Sequence, residues 1–289
     1  MPWGASGGHR LEVVRGAKVI LCKTRQGIGA HFPLSRSHYF LPLMACALVF
    51  IASRYFSVGE ADGISVIPII VLALGVLLAG KESTGQADAL DGGILFVCSL
   101  ALLLPGYNPV WALVALLSLY VMCRERRTSR AFLLILAPAL YQLSTTYVLA
   151  WFATPILSLD AILVASLLQI THGVGHAVDN LIQGPGGHQV LVLRGCSSWN
   201  NLGLAWLLLF AVTRLRNFQF TSYLYGLFGG LALALLLLNG FRLHSMSVDI
   251  AWHGWWHEAA GESVYETMVF VLIGIAVGLS GRHEKSRRQ

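Results

Sequence analysis

Charge is scarce in this chain. Asp, Glu, Lys and Arg make up 12% of its 289 residues while 56% are hydrophobic, which is too apolar for a soluble domain, where about a quarter of residues are charged. The five cysteines, Cys22, Cys46, Cys98, Cys123 and Cys196, include no C-x-x-C pair. Three of them lie in or at the edge of apolar runs, where cysteine behaves as a small hydrophobe, so a disulfide framework is not expected. Residues 1–37 are basic but lack the apolar core and small-residue cleavage site of a signal peptide. They read as a cytoplasmic N-terminal segment.

What the chain does have is apolar runs close to the roughly 20 residues that cross a bilayer. Spans are expected at about 38–57, 63–80, 92–106, 108–123, 131–152, 200–214, 220–239 and 263–281. The fold class is therefore all-α, a polytopic membrane helix bundle over 38–281 with about eight transmembrane helices, and 282–289 is a basic cytoplasmic tail. A ninth apolar run, 155–170, is decided by Lys and Arg, which collect in short cytoplasmic loops. With the N-terminus inside and eight spans, 17 of the 20 basic residues lie on the inner side. If 155–170 also crossed, the basic residues of 213–216 and the tail would lie outside. Segment 155–183 is accordingly expected on the outer surface, or dipping in and returning. Its residues Ser166, Gln169, His172, His176, Asn180 and Gln183 recur at steps of three or four, the stripe of an amphipathic interfacial helix. An ordinary span with a polar packing stripe is the alternative.

In this topology the unusual polar features share the outer face. "GCSSWNNL" (195–202) precedes the sixth span, "NGFR" (239–242) ends the seventh, and "WHGWWHEAAGESVYE" (252–266) enters the eighth. Trp151, Trp199, Trp252, Trp255 and Trp256 gather at the same level, as an interfacial aromatic belt would. A helix N-terminus favours a thiolate, and so does a neighbouring His or Arg, which makes Cys196 a candidate nucleophile. Gly195, Ser197 and Ser198 would leave room for a peptide carbonyl, with Ser198, Asn200 or Asn201 capping the helix. A histidine can take and return the proton of acyl transfer, and an arginine can stabilise an oxyanion or orient a carboxylate. Each residue alone has a duller role: packing for a lone Cys, snorkelling for Arg242, interfacial seating for the histidines.

At these residues the chain resembles the exosortase/archaeosortase family of integral-membrane cysteine transpeptidases. The resemblance covers roughly 130–280 and rests on the Cys-Ser pair of "GCSSWNNL", the Asn-x-x-Arg of "NGFR" and the His-x-x-x-Gly of "HEAAG", in that order with spans between them. Ser198, Trp199 and Asn200 stand where members commonly carry Gly-Leu-Arg, the mark of a divergent subfamily. The resemblance implies Cys196 as nucleophile, Arg242 as the catalytic arginine and His257 as general acid/base, although His253 could also reach the thiol. It implies cleavage of C-terminal sorting signals at the outer, periplasmic face of a bacterial inner membrane, through a thioester. The partners it implies are protein substrates carrying a short motif, a transmembrane helix and a basic tail, together with membrane lipid. No cofactor, metal or nucleic acid is expected.

Two other classes are weighed. "HGVGH" (172–176) and "HGWWH" (253–257) share the H-x-x-x-H spacing that puts two imidazoles on one helix face, as in a histidine-ligated metal enzyme, although glycines inside both weaken that helix. A non-enzymatic channel or carrier needs ionisable groups within its spans, and here they sit mostly at the ends.

Overall fold

The structure is a computed structural model and describes residues 34–58, 65–82, 85–125 and 129–288. The basic segment up to residue 33, with Cys22, lies outside the described residues. Ten helices follow in chain order: α1 (Arg36–Val58), α2 (Val66–Ala79), α3 (Ala89–Ala101), α4 (Asn108–Glu125), α5 (Arg130–Leu143, continued through a wide π turn, Ser144–Val148, to Trp151), α6 (Ala153–His172), α7 (Ser198–Leu215), α8 (Ser222–Val248), α9 (Ile250–His257) and α10 (Ala259–Arg288). Between α6 and α7 the chain makes three short strands, β1 (His176–Val178), β2 (Leu181–Gln183) and β3 (Gln189–Leu191), paired antiparallel in that order.

Local chemistry sets most of the boundaries. Ser65, Ser129, Thr221 and Asp249 each cap the helix that follows with a side-chain oxygen. Asp88 and Asp91 form a reciprocal capping box on α3. α3 ends at Ala101, five residues short of the expected 106, because the chain turns through Pro105 and a left-handed Gly106 (φ 93°) before α4.

Five helices are long and apolar enough to cross a membrane: α1, α5 with its continuation, α6, α8 and α10. α2 and α3 are apolar but only 14 and 13 residues long, and α4 and α7 have 18 each. One expectation is corrected. The stripe of Ser166 to Gln183 is not one helical face: α6 stops at His172, where Gly173 takes a left-handed φ of 68°, and His176 and Gln183 face each other across the β1/β2 ladder. Apart from these three-residue strands the described chain is helical, as expected.

Packing divides into linked cores. Phe40, Leu72, Trp111, Phe132 and Ile135 centre one built from α1 to α5. Leu157, Leu168, Ile182, Val192, Leu243 and Trp256 centre a second, formed by α6, the sheet and α8 to α10. α7 packs with α8 and α10 through Leu209, Leu235 and Ile273 and touches α2 and α5 through Leu207 and Ala211.

The ends of the helices also sort into groups. Arg36 Nε donates 3.0 Å to each carboxylate oxygen of Asp91 and its Nη1 pairs with Glu125, Arg124 pairs with Asp88, and Ser129 bonds Glu82. These contacts gather the start of α1, the 82–91 stretch and the α4/α5 junction, three places expected on the inner side. In the second half, the segments around Cys196, Asn239 and Trp256 meet.

Candidate active site

Cys196 closes a short turn, Arg194–Cys196, just before α7. The helix cap is Ser197, whose hydroxyl accepts the Trp199 N–H at 3.2 Å, so the cap is neither Ser198 nor the asparagines. Asn200 instead accepts the Tyr141 hydroxyl of α5 at 2.9 Å. Cys196 therefore sits one residue before the helix cap, at the N-terminal end of α7. The space expected around the serines is absent, because Ser197 and Ser198 are buried at 0% and 4% exposure. The open side of the turn is at Gly195, beside which a side chain would meet nothing within 4 Å.

The carbonyl of Cys196 is held from α8. Asn239, fully buried, donates from Nδ2 to the Cys196 oxygen at 2.9 Å and to Ser198 Oγ at 3.0 Å. Its Oδ1 accepts the hydroxyl of Tyr265 from α10 at 3.1 Å, and that hydroxyl accepts Asn201 Nδ2 at 2.9 Å. From α6, Asp160 Oδ2 accepts the Ser198 N–H at 3.0 Å. Two helices, α6 and α8, thus hold Cys196 and Ser198 directly, and Tyr265 of α10 joins Asn239 to Asn201 behind them. A buried polar network with every member satisfied fixes geometry more strictly than apolar packing does.

Arg242 lies one helical turn past Asn239 and is 7% exposed. Its guanidinium carbon stands 4.6 Å from the centre of the Tyr265 ring and 6.0 Å from that of Trp256. Nη2 donates to the Trp256 carbonyl at 3.4 Å, while Nε is buried with no partner. Among the described residues it pairs with no carboxylate. Cys196 and Tyr265 belong to the same buried cluster, so the structure brings the expected cysteine and arginine close to one tyrosine.

His257 is the last residue of α9, one past the carbonyl that Arg242 holds, and it is exposed. Its ring packs against His253 at 4.8 Å, and it has no hydrogen bond to Cys196 or Arg242 among the described residues. His253 in turn meets His188 at 5.7 Å. Burial first, then His257 and His188, push His253 below the ordinary histidine value. Gly261 is required by geometry: a side chain there would collide with the Trp255 carbonyl, so α10 starts directly against the end of α9.

Other expectations change. Trp256 is not part of an aromatic belt, being 4% exposed with its indole N–H on Ser245 Oγ at 2.6 Å, whereas Trp151, Trp199 and Trp252 are exposed. The spacing of "HGVGH" carries no helical geometry, because His172 ends α6 and His176 begins β1. His172 pairs with His244 at 5.6 Å instead, and Thr171 Oγ1 lies within hydrogen-bond distance of both. Among the described residues no three His, Cys, Asp or Glu side chains group so as to hold a metal.

Sequence reasoning missed Asp160 and Tyr265, and took Asn201 for a possible helix cap when its side chain instead bonds Tyr265. Asp160 did leave a signal, as the sole Asp, Glu, Lys or Arg between residues 131 and 178. Tyr265 left none, since it is an ordinary helix residue until its partners are known. Compared with known proteins, the chain matches no family model, no curated protein and no solved structure.

Proposed function

We propose that the protein is a membrane-embedded cysteine peptidase or transpeptidase, a divergent relative of the exosortases, acting on membrane-anchored protein substrates at the outer face of a bacterial inner membrane. The observation that carries this reading is the network in which Asn239 holds the Cys196 carbonyl while Arg242, on the same helix, stands over the tyrosine that braces Asn239. A purely packing cysteine needs no such bracing. An Arg that merely snorkels would put its charge in water, whereas this one is buried.

In the proposed mechanism His257 takes the proton of the Cys196 thiol, and the thiolate adds to the carbonyl carbon of the sorting-signal peptide bond, forming a C–S bond. Negative charge develops on the carbonyl oxygen, and Arg242, with unused N–H capacity at Nε, faces it. As the C–N bond breaks, the leaving amine takes a proton from His257, giving a thioester. Water or an acceptor amine, deprotonated by the same histidine, then attacks the thioester and releases the thiolate. The mechanism requires His257, exposed at the end of α9, to come within reach of the thiol.

The proposed topology keeps eight crossings, with α6 at the outer surface. It is supported by the gathering of Arg36, Asp88, Asp91, Arg124 and Glu125 at one end and of Cys196, Arg242 and Trp256 in the other group. Substrates are proteins whose C-terminus carries a short motif, a span and a basic tail.

The test is co-expression with such a substrate. Cys196→Ala should abolish processing while Cys46→Ala retains it, and a lone cysteine at Ile250, 67% exposed, should be labelled from outside by an impermeant maleimide. Processing by the Cys196 variant would refute the nucleophile, and labelling from inside would refute the topology.

A further inference from the structure

Asp160 is the one carboxylate in α6, seven residues into an apolar 20-residue helix that is otherwise uncharged as far as His172, and a carboxylate drawn into packing needs a hydrogen-bond donor. Its Oδ2 accepts the backbone N–H of Ser198, the first residue of α7, at 3.0 Å and from 38 residues away. Local capping leaves that donor open, because the Ser197 hydroxyl is engaged by the next N–H, that of Trp199. Asn239 grips the other side of Ser197 through the Cys196 carbonyl. The two ties come from different helices and bracket a single residue, so together they fix the direction in which the peptide planes around Cys196 face.

We propose that Asp160 is a positioning residue for Cys196, acting as the hydrogen-bond acceptor that locks the cysteine turn onto α6. This rests on Cys196 being the nucleophile, but the lock itself is a property of the resting protein. Without the acceptor, the Ser198 N–H turns to water and the turn loosens, exposing a thiol that is now 9% exposed. Asparagine keeps an acceptor oxygen at the same reach. Glutamate keeps the charge but moves the oxygens by one methylene.

The experiment uses full-length protein in detergent with the other four cysteines replaced by alanine, and follows alkylation of Cys196 by iodoacetamide. Asp160→Ala and Asp160→Glu should each react about fivefold faster than the parent, the scale of losing one helix-capping hydrogen bond. Asp160→Asn should stay within about twofold of the parent, as conservation of the acceptor requires. An unchanged rate in Asp160→Ala, or an Asn variant as fast as the Glu variant, would overturn the proposal, the second by showing that an acceptor oxygen at the same reach is not what holds the turn. If the Ala variant does not fold, the Asn-against-Glu ranking decides alone. Substrate processing, followed separately in Cys196→Ala, distinguishes failure of the nucleophile reading, which leaves the alkylation ranking untouched.

Discussion

The two halves of the molecule treat buried charge in opposite ways. In the first, Asp91 is fully buried and accepts from Arg36, from the Tyr120 hydroxyl at 2.6 Å and from the Asp88 N–H at 2.8 Å, while Glu125 engages the same arginine. In the second, Arg242 is nearly as buried as Arg36 but has one long hydrogen bond to a carbonyl, two aromatic faces and an idle Nε. A buried pair with its lone pairs satisfied ties elements together, and removing one partner strands the other. A buried cation left short of partners adds little to stability and keeps its binding capacity for something else. In the proposed reading the first half is scaffold and the second carries the chemistry.

That comparison breaks most clearly under two substitutions. Asp91→Ala leaves Arg36 and the Tyr120 hydroxyl without their main acceptor and should cost about 3–5 kcal/mol of stability, the penalty for breaking a buried pair. Activity per folded molecule should be unchanged. Arg242→Met keeps an apolar side chain of similar length and should shift stability by about 1 kcal/mol or less, because no carboxylate is stranded. Its processing rate should fall by about 10² or more, as when one oxyanion donor is lost. Denaturant unfolding and substrate processing on both variants check the pair, and a stability loss in Arg242→Met as large as that in Asp91→Ala would erase the distinction.

The same contrast explains what could be read from sequence. Apolar period and run length revealed the helices, since a buried or lipid-facing helix must be apolar along its length. They also revealed that Cys196 would stand just before a helix, whereas Arg242, expected at the end of a span, lies inside α8, which runs on to Val248. The sheet escaped because its strands have three residues each, too short for alternation to register, and because a helical stripe ran through them by coincidence of spacing. The bracing of Cys196 escaped for another reason. Asp160, Asn239 and Tyr265 lie on three helices far apart in sequence, and only packing decides which polar residues face one another. Asp160 alone was conspicuous, as a carboxylate in an apolar run.

The second half also holds a comparison in miniature, between two histidines four residues apart. His257 is exposed beside the carbonyl that Arg242 holds, whereas His253 is half-buried between His257 and His188. In the proposed mechanism His257 carries the proton, so His257→Ala should slow processing by about 10², the scale of general acid/base catalysis. His253→Gln should retain most of the activity. If the two variants rank the other way, the base is one turn earlier on α9 and the Cys196 and Arg242 assignments stand.

The smallest expected effect belongs to His253 alone and concerns stability. Burial, then the neighbouring His257 and His188, hold it below the ordinary value of 6.5, so the neutral ring is favoured in the folded protein. As pH falls past 6.5 the unfolded chain binds this proton first, and linkage then makes stability decrease with falling pH. The loss begins near 6.5, grows as pH falls towards the lower folded-state value, and levels off below it. Thermal unfolding at pH 7.5 and 5.5 should therefore show a lower midpoint at the acidic pH, and His253→Gln, which cannot take up the proton, should narrow that difference. An equal difference in the variant would show that the acid sensitivity arises elsewhere, and that the His188, His253 and His257 cluster tolerates a proton without strain.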